Sequence, residues 1–451
     1  MFSRSFSHGI SFLKWIKVDR AIAYSVLNRL WQVFAGPLTI ILFSLYVSPE
    51  TQGFYYIFIN LIALQTLADL GFTIVITQFA SHEWVLLSYE PKQGIIGDPK
   101  SLSRLTSLSR LIFKWYAYAS VVFIAVIGTG GYLFLSQKSQ PGITWENPWI
   151  AYIFLSGLQL WVLPFLSFLE GCGQVARVNF IRLVQVILGT LAMWITMVLG
   201  GNLWMAVSML GAGLLANIGL MCHYYKSFFQ SLIRFQGPAV MDWKREVWPM
   251  QWRLAVSGVT GYLTFSLITP VMFHYHGAVV AGQVGMTFQI IGVLGGVAMA
   301  WVNTKVPTFG MLIAKKNFFE LDRLFIRVSL ISILIFCLGA TTLWSVVFAI
   351  NKIGLDLAGR LLSPSLFGIL CMAMLFLHIS ACQTQYLRAH KKEPIMVLSL
   401  TTSLLNGFLI WGFGSLYGPI GAILSLLATM ALILVPFETL IFYRCRKEWH
   451  R

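Results

Sequence analysis

The sequence predicts an all-α polytopic membrane protein with about twelve transmembrane helices arranged as two six-helix lobes. Of its 451 residues, 57% are hydrophobic and only 11% are charged, whereas a soluble domain carries about 25% charged residues. Many apolar runs reach about 18 residues or more, which is long enough to cross ~30 Å of hydrocarbon as a helix. Basic residues also cluster on alternate connections between these runs. These observations exclude a water-soluble globule and leave no room for a large soluble domain.

The apolar runs divide the whole chain into spans with short connections. Glycine-containing turns at 200–202 and 417–419 separate spans five from six and eleven from twelve. A central connection at 224–249 has six spans on each side, so we predict an N-terminal lobe at 1–223 and a C-terminal lobe at 250–451. Both halves then begin on the same side of the membrane, which permits parallel repeats. The predicted spans lie near 22–47, 54–80, 111–135, 149–169, 178–200, 203–223, 250–273, 279–303, 325–350, 361–386, 395–416 and 419–442.

The net charge of +16 arises from 32 Lys and Arg against 16 Asp and Glu. A nucleic-acid-binding protein gathers its basic residues into one patch, but here they are scattered in small groups between apolar runs, so no nucleic-acid partner is predicted. If the N-terminus is cytoplasmic, the outer segments contain only Lys138, Lys352 and Arg360, and Arg29 lies within span one. All other basic residues are then cytoplasmic. This asymmetry supports the span count and predicts two cytoplasmic termini in a multi-pass plasma-membrane protein.

Span one carries a polar face, because Ser25, Arg29, Gln32 and Gly36 are spaced for one side of a helix. A charged side chain facing lipid costs about 2.5–3.5 kcal/mol. Arg29 lies about 10 Å into span one and Asp69 about 16 Å from the inner end of span two, at 1.5 Å per residue. The two could pair or line a binding site for an anion, with Gln32 beside them. Alternatively, Arg29 extends to the interface, or the pair is structural.

Other polar residues in the spans are weaker candidates. Amide side chains can line a sugar-binding cavity, but they also form ordinary hydrogen bonds between helices. His378 could titrate near neutral pH, and an interhelical packing histidine explains it as well. Arg177 and Arg182, with Glu170, are expected to form surface ion pairs or to meet a lipid head group. The remaining candidate substrate-binding residues are Asn60 and Gln65 in span two, His378 in span ten, and Arg253, which opens span seven as Arg29 opens span one.

Signals of soluble enzymes and of cofactor sites are absent from the sequence. There is no GxxxxGK[ST] motif for nucleotide phosphates, no HExxH and no GxSxG. The six cysteines form no CxxC pair, so no metal, cofactor or disulfide framework is predicted. The outer connections at 136–148 and 351–360 are shorter than those in which membrane glycosyltransferases and polymerases commonly place their acceptor chemistry. We therefore predict a transporter and not an enzyme.

The first two spans resemble those of a known family. The sequence LNRLWQ at 27–32 leads to LYVSPETQGFYY at 45–56 and then to LQTLADLGF at 64–72. These segments resemble the start of bacterial polysaccharide flippases in the multidrug/oligosaccharidyl-lipid/polysaccharide exporter superfamily. The turn at Pro49–Gly53 is similar to the family's Pro-Glu-x-x-Gly connection, and Asp69–Gly71 is similar to its span-two ending. The family has no strict catalytic signature, so no catalytic residue is carried over.

The resemblance implies two lobes around a central cavity that opens alternately to each side of the bacterial inner membrane. It implies a lipid-linked oligosaccharide as substrate, with sugar repeat units on undecaprenyl diphosphate that pass to the outer leaflet for polysaccharide biosynthesis. Membrane lipids, a polysaccharide polymerase and the chain-length machinery are candidate partners. A cavity for such a head group needs cationic residues for the diphosphate, and Arg29 and Arg253 are the candidates.

Three alternatives remain open at this point. A cation-coupled multidrug exporter of the same superfamily would favour buried carboxylates in its N-terminal lobe. A peptidoglycan-precursor flippase usually has fourteen spans. A membrane-embedded glycosyltransferase or polymerase is a different class and would need a sizeable outer loop.

The charge asymmetry predicts the sidedness of the connections. In a cysteine-free background, single cysteines placed at 136–148 and 351–360 should react in intact cells with a membrane-impermeant thiol reagent, because these segments are outside. Cysteines placed at 81–110 should react only after the membrane is permeabilised. Labelling of 81–110 but not of 136–148 in intact cells would contradict the predicted topology.

Overall fold

A computed structural model describes residues 20–90, 94–138, 142–235, 237, 242–243, 246, 248–390 and 392–450. Hydrocarbon offers no hydrogen-bond partners for a backbone, so apolar segments that cross it satisfy their N–H and C=O groups within helices. The first half contains α1 Arg20–Tyr46, α2 Pro49–Ile62, α3 Gln65–Asp69, α4 Phe72–Trp84, α5 Pro99–Ser136, α6 Glu146–Gly171, α7 Val175–Val198 and α8 Trp204–Arg234. The second half contains α9 Trp248–Phe265, α10 Ile268–His276, α11 Ala278–Asn303, α12 Val306–Ala314, α13 Phe318–Ile353, α14 Pro364–Ala389, α15 Met396–Ala428 and α16 Val435–Trp449.

All twelve predicted spans fall on helices, which confirms the all-α polytopic class. Nine of the described helices are long and apolar enough to cross a membrane, or ten if α2–α4 form one broken span. The longest of these stretches, Met396–Trp449, contains predicted spans eleven and twelve, and Gly418 interrupts it with a φ of 66°. Predicted span seven is divided between α9 and α10. Short breaks of this kind explain why twelve apolar runs correspond to fewer uninterrupted helices.

Two local structures were not predicted from the sequence. An antiparallel hairpin of β1 Leu87–Glu90 and β2 Gly94–Gly97 lies in the connection after span two. Its strands have four residues each, too short to give a clear alternating pattern. A π-helical segment, Thr429–Leu434, joins α15 to α16, and segments of this kind often occur at functional sites.

The chain divides into two compact units. Unit 1 comprises the described parts of Met1–Thr39, Gly71–Val126 and Ile150–Trp252, and unit 2 comprises Ile40–Leu70, Ile127–Trp149 and Arg253–Arg451. Two segments of the first half of the sequence therefore cluster with the second half. The predicted lobes at 1–223 and 250–451 stay a prediction.

An arginine holds together the part of unit 1 that follows span two. The guanidinium of Arg104, near the start of α5, donates to Glu83 at 2.8 Å and to Glu246 at 2.7 Å. The pKa of Arg104 is raised by its hydrogen bonds to Glu83 and Glu246, and the pKa of Glu246 is lowered by its bond to Arg104. Arg104 thereby links the end of α4 and the central connection to α5.

Glycines bring α2 and α11 into close contact inside unit 2. Ser48 caps α2 by accepting from Thr51 N–H at 3.1 Å, with Pro49 in the first turn. A Cβ atom on Gly53 would overlap the carbonyl oxygen of Ala278, and one on Gly285 would overlap the ring of Tyr56. Small residues at such positions let helix backbones approach closely, which is a major source of helix association in membranes.

The α2–α11 contact should therefore depend on the absence of a side chain at Gly53. We expect Gly53→Ala to lower the free energy of unfolding of the purified protein by about 1–3 kcal/mol. The added methyl group would meet the backbone of Ala278, and a rotamer change cannot relieve that overlap. Gly292→Ala on the partner helix α11 is the control, since a Cβ there meets no atom within 4 Å. Equal unfolding temperatures for the two variants in detergent would contradict this packing.

Candidate functional site

The polar face predicted on span one is present on α1 of unit 1. Ser25, Arg29 and Gln32 are exposed, and a Cβ atom on Gly36 would meet no atom within 4 Å. Gln32 donates to the side chain of Asn28 at 3.1 Å. The opposite side of α1 also exposes apolar residues, including Leu30 at 59%. The protein therefore leaves Arg29 accessible to a ligand or to the membrane, and its role in binding stays a prediction.

Span two is broken close to the predicted site residues. Leu70 and Gly71 both adopt left-handed conformations, with φ of 50° and 67°, and they separate α3 from α4. Asp69 is the last residue of α3 and is half-buried, and Gln65 is the first. Leu70 has a side chain that disfavours this conformation, and backbone of this kind is frequent at functional sites. Asp69 belongs to unit 2 and Arg29 to unit 1, so their pairing stays a prediction.

Asn60 lies one turn after a polar contact between α2 and α11. Its amide donates to the carbonyl of Tyr56 at 2.8 Å, and the hydroxyl of Tyr56 donates to Gln289 at 2.7 Å. This arrangement places amide and phenol groups together within unit 2. The binding of a substrate by Asn60 and Gln65 stays a prediction.

His378 is 5% exposed and lies in the helix core of unit 2. Its Nε2 is 2.8 Å from the hydroxyl of Ser332, which also donates to the carbonyl of Ala298, and its ring stacks on Phe336. These contacts join α11, α13 and α14, as expected of an interhelical packing residue. Its role in substrate binding stays a prediction. Arg253 lies on α9, but its side chain falls outside the described part of the structure.

A second group of polar residues, which the sequence did not single out, surrounds Gln52 at the start of α2. Gln52 is 1% exposed, and its amide donates to the carbonyls of Gly282 at 3.0 Å and Arg360 at 3.1 Å. The pKa of the Arg360 guanidinium is lowered by burial, and this is opposed by the charges of Glu50 and Asp356. The three bonded residues lie on α2, on α11 and in the loop before α14, so the Gln52 contacts hold these elements together.

Glu438 was also missed by sequence analysis. Its side chain is completely buried in α16, one oxygen accepts from Thr384 at 2.9 Å, and the other accepts from Ser380. Both hydroxyl residues lie on α14. A lone acidic residue near the end of an apolar span is the signal that could have identified it, because such residues are costly unless they are partnered.

Matches to known proteins come from solved structures. No protein-family model matches the sequence, and no curated protein does. The lipid II flippase MurJ in an inward closed conformation matches with a TM-score of 0.57 and 13% identity, over 92% of this chain and 86% of that chain. An inward-facing multidrug resistance MATE-family transporter of the MOP superfamily matches with a TM-score of 0.62 and 11% identity, over 95% and 96%.

A MOP-superfamily transporter from Pyrococcus furiosus matches with a TM-score of 0.54 and 13% identity, over 95% of this chain and 97% of that chain. The reverse polarity of its binding pocket suggests a different function for that protein. The chain has the fold of MOP-superfamily transporters. At these identities the similarity establishes the fold alone. The all-α polytopic architecture with two lobes is confirmed, whereas the central cavity, the alternating access and the polysaccharide-flippase subtype stay predictions.

The Glu438 hydrogen bonds should contribute to stability. We expect Glu438→Ala to lower the free energy of unfolding by about 1–3 kcal/mol, because the hydroxyls of Ser380 and Thr384 would lose their buried acceptor. Glu438→Gln keeps one acceptor oxygen and should lower the free energy of unfolding less than Glu438→Ala does. Glu448→Ala, an exposed residue on the same helix, is the control. If thermal unfolding of the purified proteins gives the same midpoint for Glu438→Ala and Glu448→Ala, Glu438 does not stabilise the α14–α16 contact.

Proposed function

We propose that this protein translocates undecaprenyl-diphosphate-linked oligosaccharide repeat units across the bacterial inner membrane by alternating access. A bulky sugar head cannot cross hydrocarbon unaided, whereas its lipid tail can remain in the bilayer. The protein must then supply a polar path for the sugar and cationic groups for the diphosphate. The resemblance of spans one and two to polysaccharide flippases and the fold shared with MOP-superfamily transporters support this proposal.

The charge of the first half of the chain is the observation that carries the proposal. Four long helices, α1, α5, α7 and α8, contain no Asp or Glu within their bounds. Their charged residues are all basic: Arg20, Arg29, Lys100, Arg104, Arg110, Lys114, Arg177, Arg182, Lys226 and Arg234. Of these, Arg104 and Arg182 are paired with carboxylates on other elements. A substrate that meets these helices is favoured when it is anionic. A diphosphate-linked sugar has this charge.

Arg29 is the proposed diphosphate contact on α1. Its guanidinium is a planar fork that can donate two parallel hydrogen bonds to phosphate oxygens, which a lysine ammonium cannot reproduce. Arg29 is exposed on a face with Ser25 and Gln32, and these supply neutral polar groups for sugar hydroxyls. A cation-coupled drug exporter is the alternative. It would favour buried carboxylates in its N-terminal lobe, whereas span one has Arg29 and no carboxylate.

A flipping assay in proteoliposomes tests the proposal. The purified protein should move a fluorescent polyprenyl-diphosphate oligosaccharide between leaflets without ATP, because the chain has no phosphate-cradling loop. Arg29→Ala should slow flipping by roughly tenfold to a hundredfold, since hydrogen bonds to charged groups contribute about 1.5–3 kcal/mol each. Arg29→Lys should be intermediate. Arg444→Ala, an exposed arginine on α16, should flip at the wild-type rate.

Each contrary result has a distinct meaning. A well-folded Arg29→Ala variant with the full rate removes Arg29 from the mechanism and leaves interfacial extension as its role. If Asp69 is instead its structural partner, Asp69→Ala should reduce protein levels as much as Arg29→Ala does, and the double variant should recover. Wild-type protein that does not flip the lipid but exchanges a lipophilic cation against Na⁺ or H⁺ would be a drug exporter.

A further inference from the structure

A cavity of about 440 Å³ lies in unit 1, between the beginnings of α1 and α7 and the bend in α8. Water occupies about 30 Å³ per molecule in the liquid, so this volume can hold a phosphate or diphosphate group with some of its hydration. Two arginines, three aromatic rings and one amide form most of its wall: Arg20, Arg177, Tyr24, Phe180, Tyr224 and Gln174. We call this cavity the arginine pocket.

Contacts between α1 and α7 give the pocket a fixed wall. The amide of Asn179 donates to the carbonyl of Ala21 at 3.0 Å, and the rings of Tyr24 and Phe180 lie 5.3 Å apart. These contacts place the beginning of α1 against the beginning of α7. Arg20 and Arg177 therefore both line one cavity.

The guanidinium of Arg177 lies over aromatic rings, 5.4 Å from the centre of the Tyr224 ring and 6.0 Å from that of Tyr225. A cation over an aromatic face is attracted to it, and its N–H groups can still donate at their edges. α8 departs from helical geometry at Tyr225, whose φ is −127°, and the Tyr225 hydroxyl donates to Gln174 at 3.1 Å. The α8 bend thus holds both Arg177 and Gln174 at the wall.

The pocket is electrostatically suited to an anion. None of the described residues that line it is acidic. The nearby carboxylate of Glu170 is paired with Arg182 at 2.7 Å. Gln174 precedes α7 but does not cap it with its side chain, so the first-turn N–H groups of this 24-residue helix add positive potential.

The position of the pocket indicates the kind of anion. Arg20 and Arg177 open the first and fifth predicted spans, which begin on the same side of the membrane in either orientation. The distribution of basic residues puts that side in the cytoplasm. Aromatic and arginine side chains at the end of a span lie at the level of lipid head groups. At this depth, the phosphate groups of lipids are the nearest anions to the pocket.

The pocket differs from the polar face of α1. Arg20 and Arg29 are nine residues apart, which is about 180° around an α-helix. Tyr24 lies on the pocket side, only about 40° from Arg20 by the same geometry. A ligand in the arginine pocket would therefore bind on the side of α1 opposite to Arg29.

We propose that the arginine pocket binds the phosphate group of a lipid in the cytoplasmic leaflet. The two arginines and the first turn of α7 would donate to the phosphate oxygens, and the rings of Tyr24, Phe180 and Tyr224 would pack against the head group. The phosphate could belong to a polyprenyl diphosphate or to an anionic phospholipid, since both present the same chemistry. This site is additional to the proposed transport path at Arg29.

Native mass spectrometry of the intact purified protein can test the proposal with matched lipids. Undecaprenyl diphosphate is compared with undecaprenol, and phosphatidylglycerol with diacylglycerol. At least one phosphate-bearing lipid should bind tenfold or more tightly than its phosphate-free counterpart, since hydrogen bonds to charged groups have about this effect. The lipid with the greater ratio identifies the source of the phosphate.

Variants connect this preference to the pocket. Arg20→Gln with Arg177→Gln should reduce phosphate-lipid binding to the phosphate-free level, and Arg177→Lys should retain part of it. Arg444→Gln, at an exposed arginine on α16 outside the pocket wall, should bind as wild type does. The single variant Arg20→Gln shows whether weaker binding could result from misfolding. Because Arg20 is exposed, its replacement should leave the unfolding temperature unchanged and still weaken lipid binding.

Three results would overturn the proposal. The first is equal binding of phosphate-bearing and phosphate-free lipids. The second is wild-type binding by the folded double variant. The third is displacement of the lipid by inorganic pyrophosphate at equal concentration, which would assign the pocket to a soluble anion. Because the assay measures binding and not flipping, each of these results leaves the proposed transport function to its own test.

Discussion

The cost of placing polar groups in hydrocarbon determines most of this structure. The backbone of each apolar run satisfies its hydrogen bonds as a helix, and several polar side chains inside the helical core have partners on neighbouring helices. His378 meets Ser332, and Glu438 meets Ser380 and Thr384. Such contacts cannot be exchanged for water without opening the helix bundle, so each one selects a particular arrangement of helices. The polar residues thus specify which helices pack together, while the apolar residues specify that they are helices.

The α2–α11 contact combines close packing of two helix backbones with hydrogen bonds from one buried amide. Lipid chains are as apolar as leucine side chains, so helices in a membrane associate through close packing and hydrogen bonds and not through exclusion of water. Gly53 and Gly285 permit the approach, and Gln52 adds two hydrogen bonds to backbone carbonyls. The contact joins the first half of the sequence to the second within unit 2.

The sequence predicted the fold class, and its twelve apolar runs all fall on helices, because helix formation in a membrane depends on local hydropathy and length. Nine or ten of the described helices meet the requirements for a membrane span. The Asp69–Gly71 segment, which resembles a family's span-two ending, lies where span two is broken. The sequence did not predict the contacts of Gln52, since Gln52 and Gly282 are 230 residues apart and nothing local records their meeting. Glu438 could have been found, because a single acid in an apolar span is a local signal. The arginine pocket could not, since its wall comes from three helices and its basic residues resemble ordinary cytoplasmic charges.

The two cationic sites on α1 have different consequences for a lipid-linked anion. The polar face with Arg29 begins with Ser25 and continues through Gln32 to Gly36, so it extends along the helix and suits a group that moves through the membrane. On α1, the arginine pocket involves only the first five described residues, from Arg20 to Tyr24. Asn179 and Phe180 of α7 contact this part of α1. The pocket therefore suits a group that remains at one depth in the membrane. A substrate diphosphate bound in the pocket would have to pass around α1 to reach Arg29, because the two faces are about half a turn apart. Under the two proposals, binding in the pocket would therefore be a step separate from translocation. A phosphate that stays there would hold the beginnings of α1 and α7 together, while the opposite face of α1 would contact the transported head group.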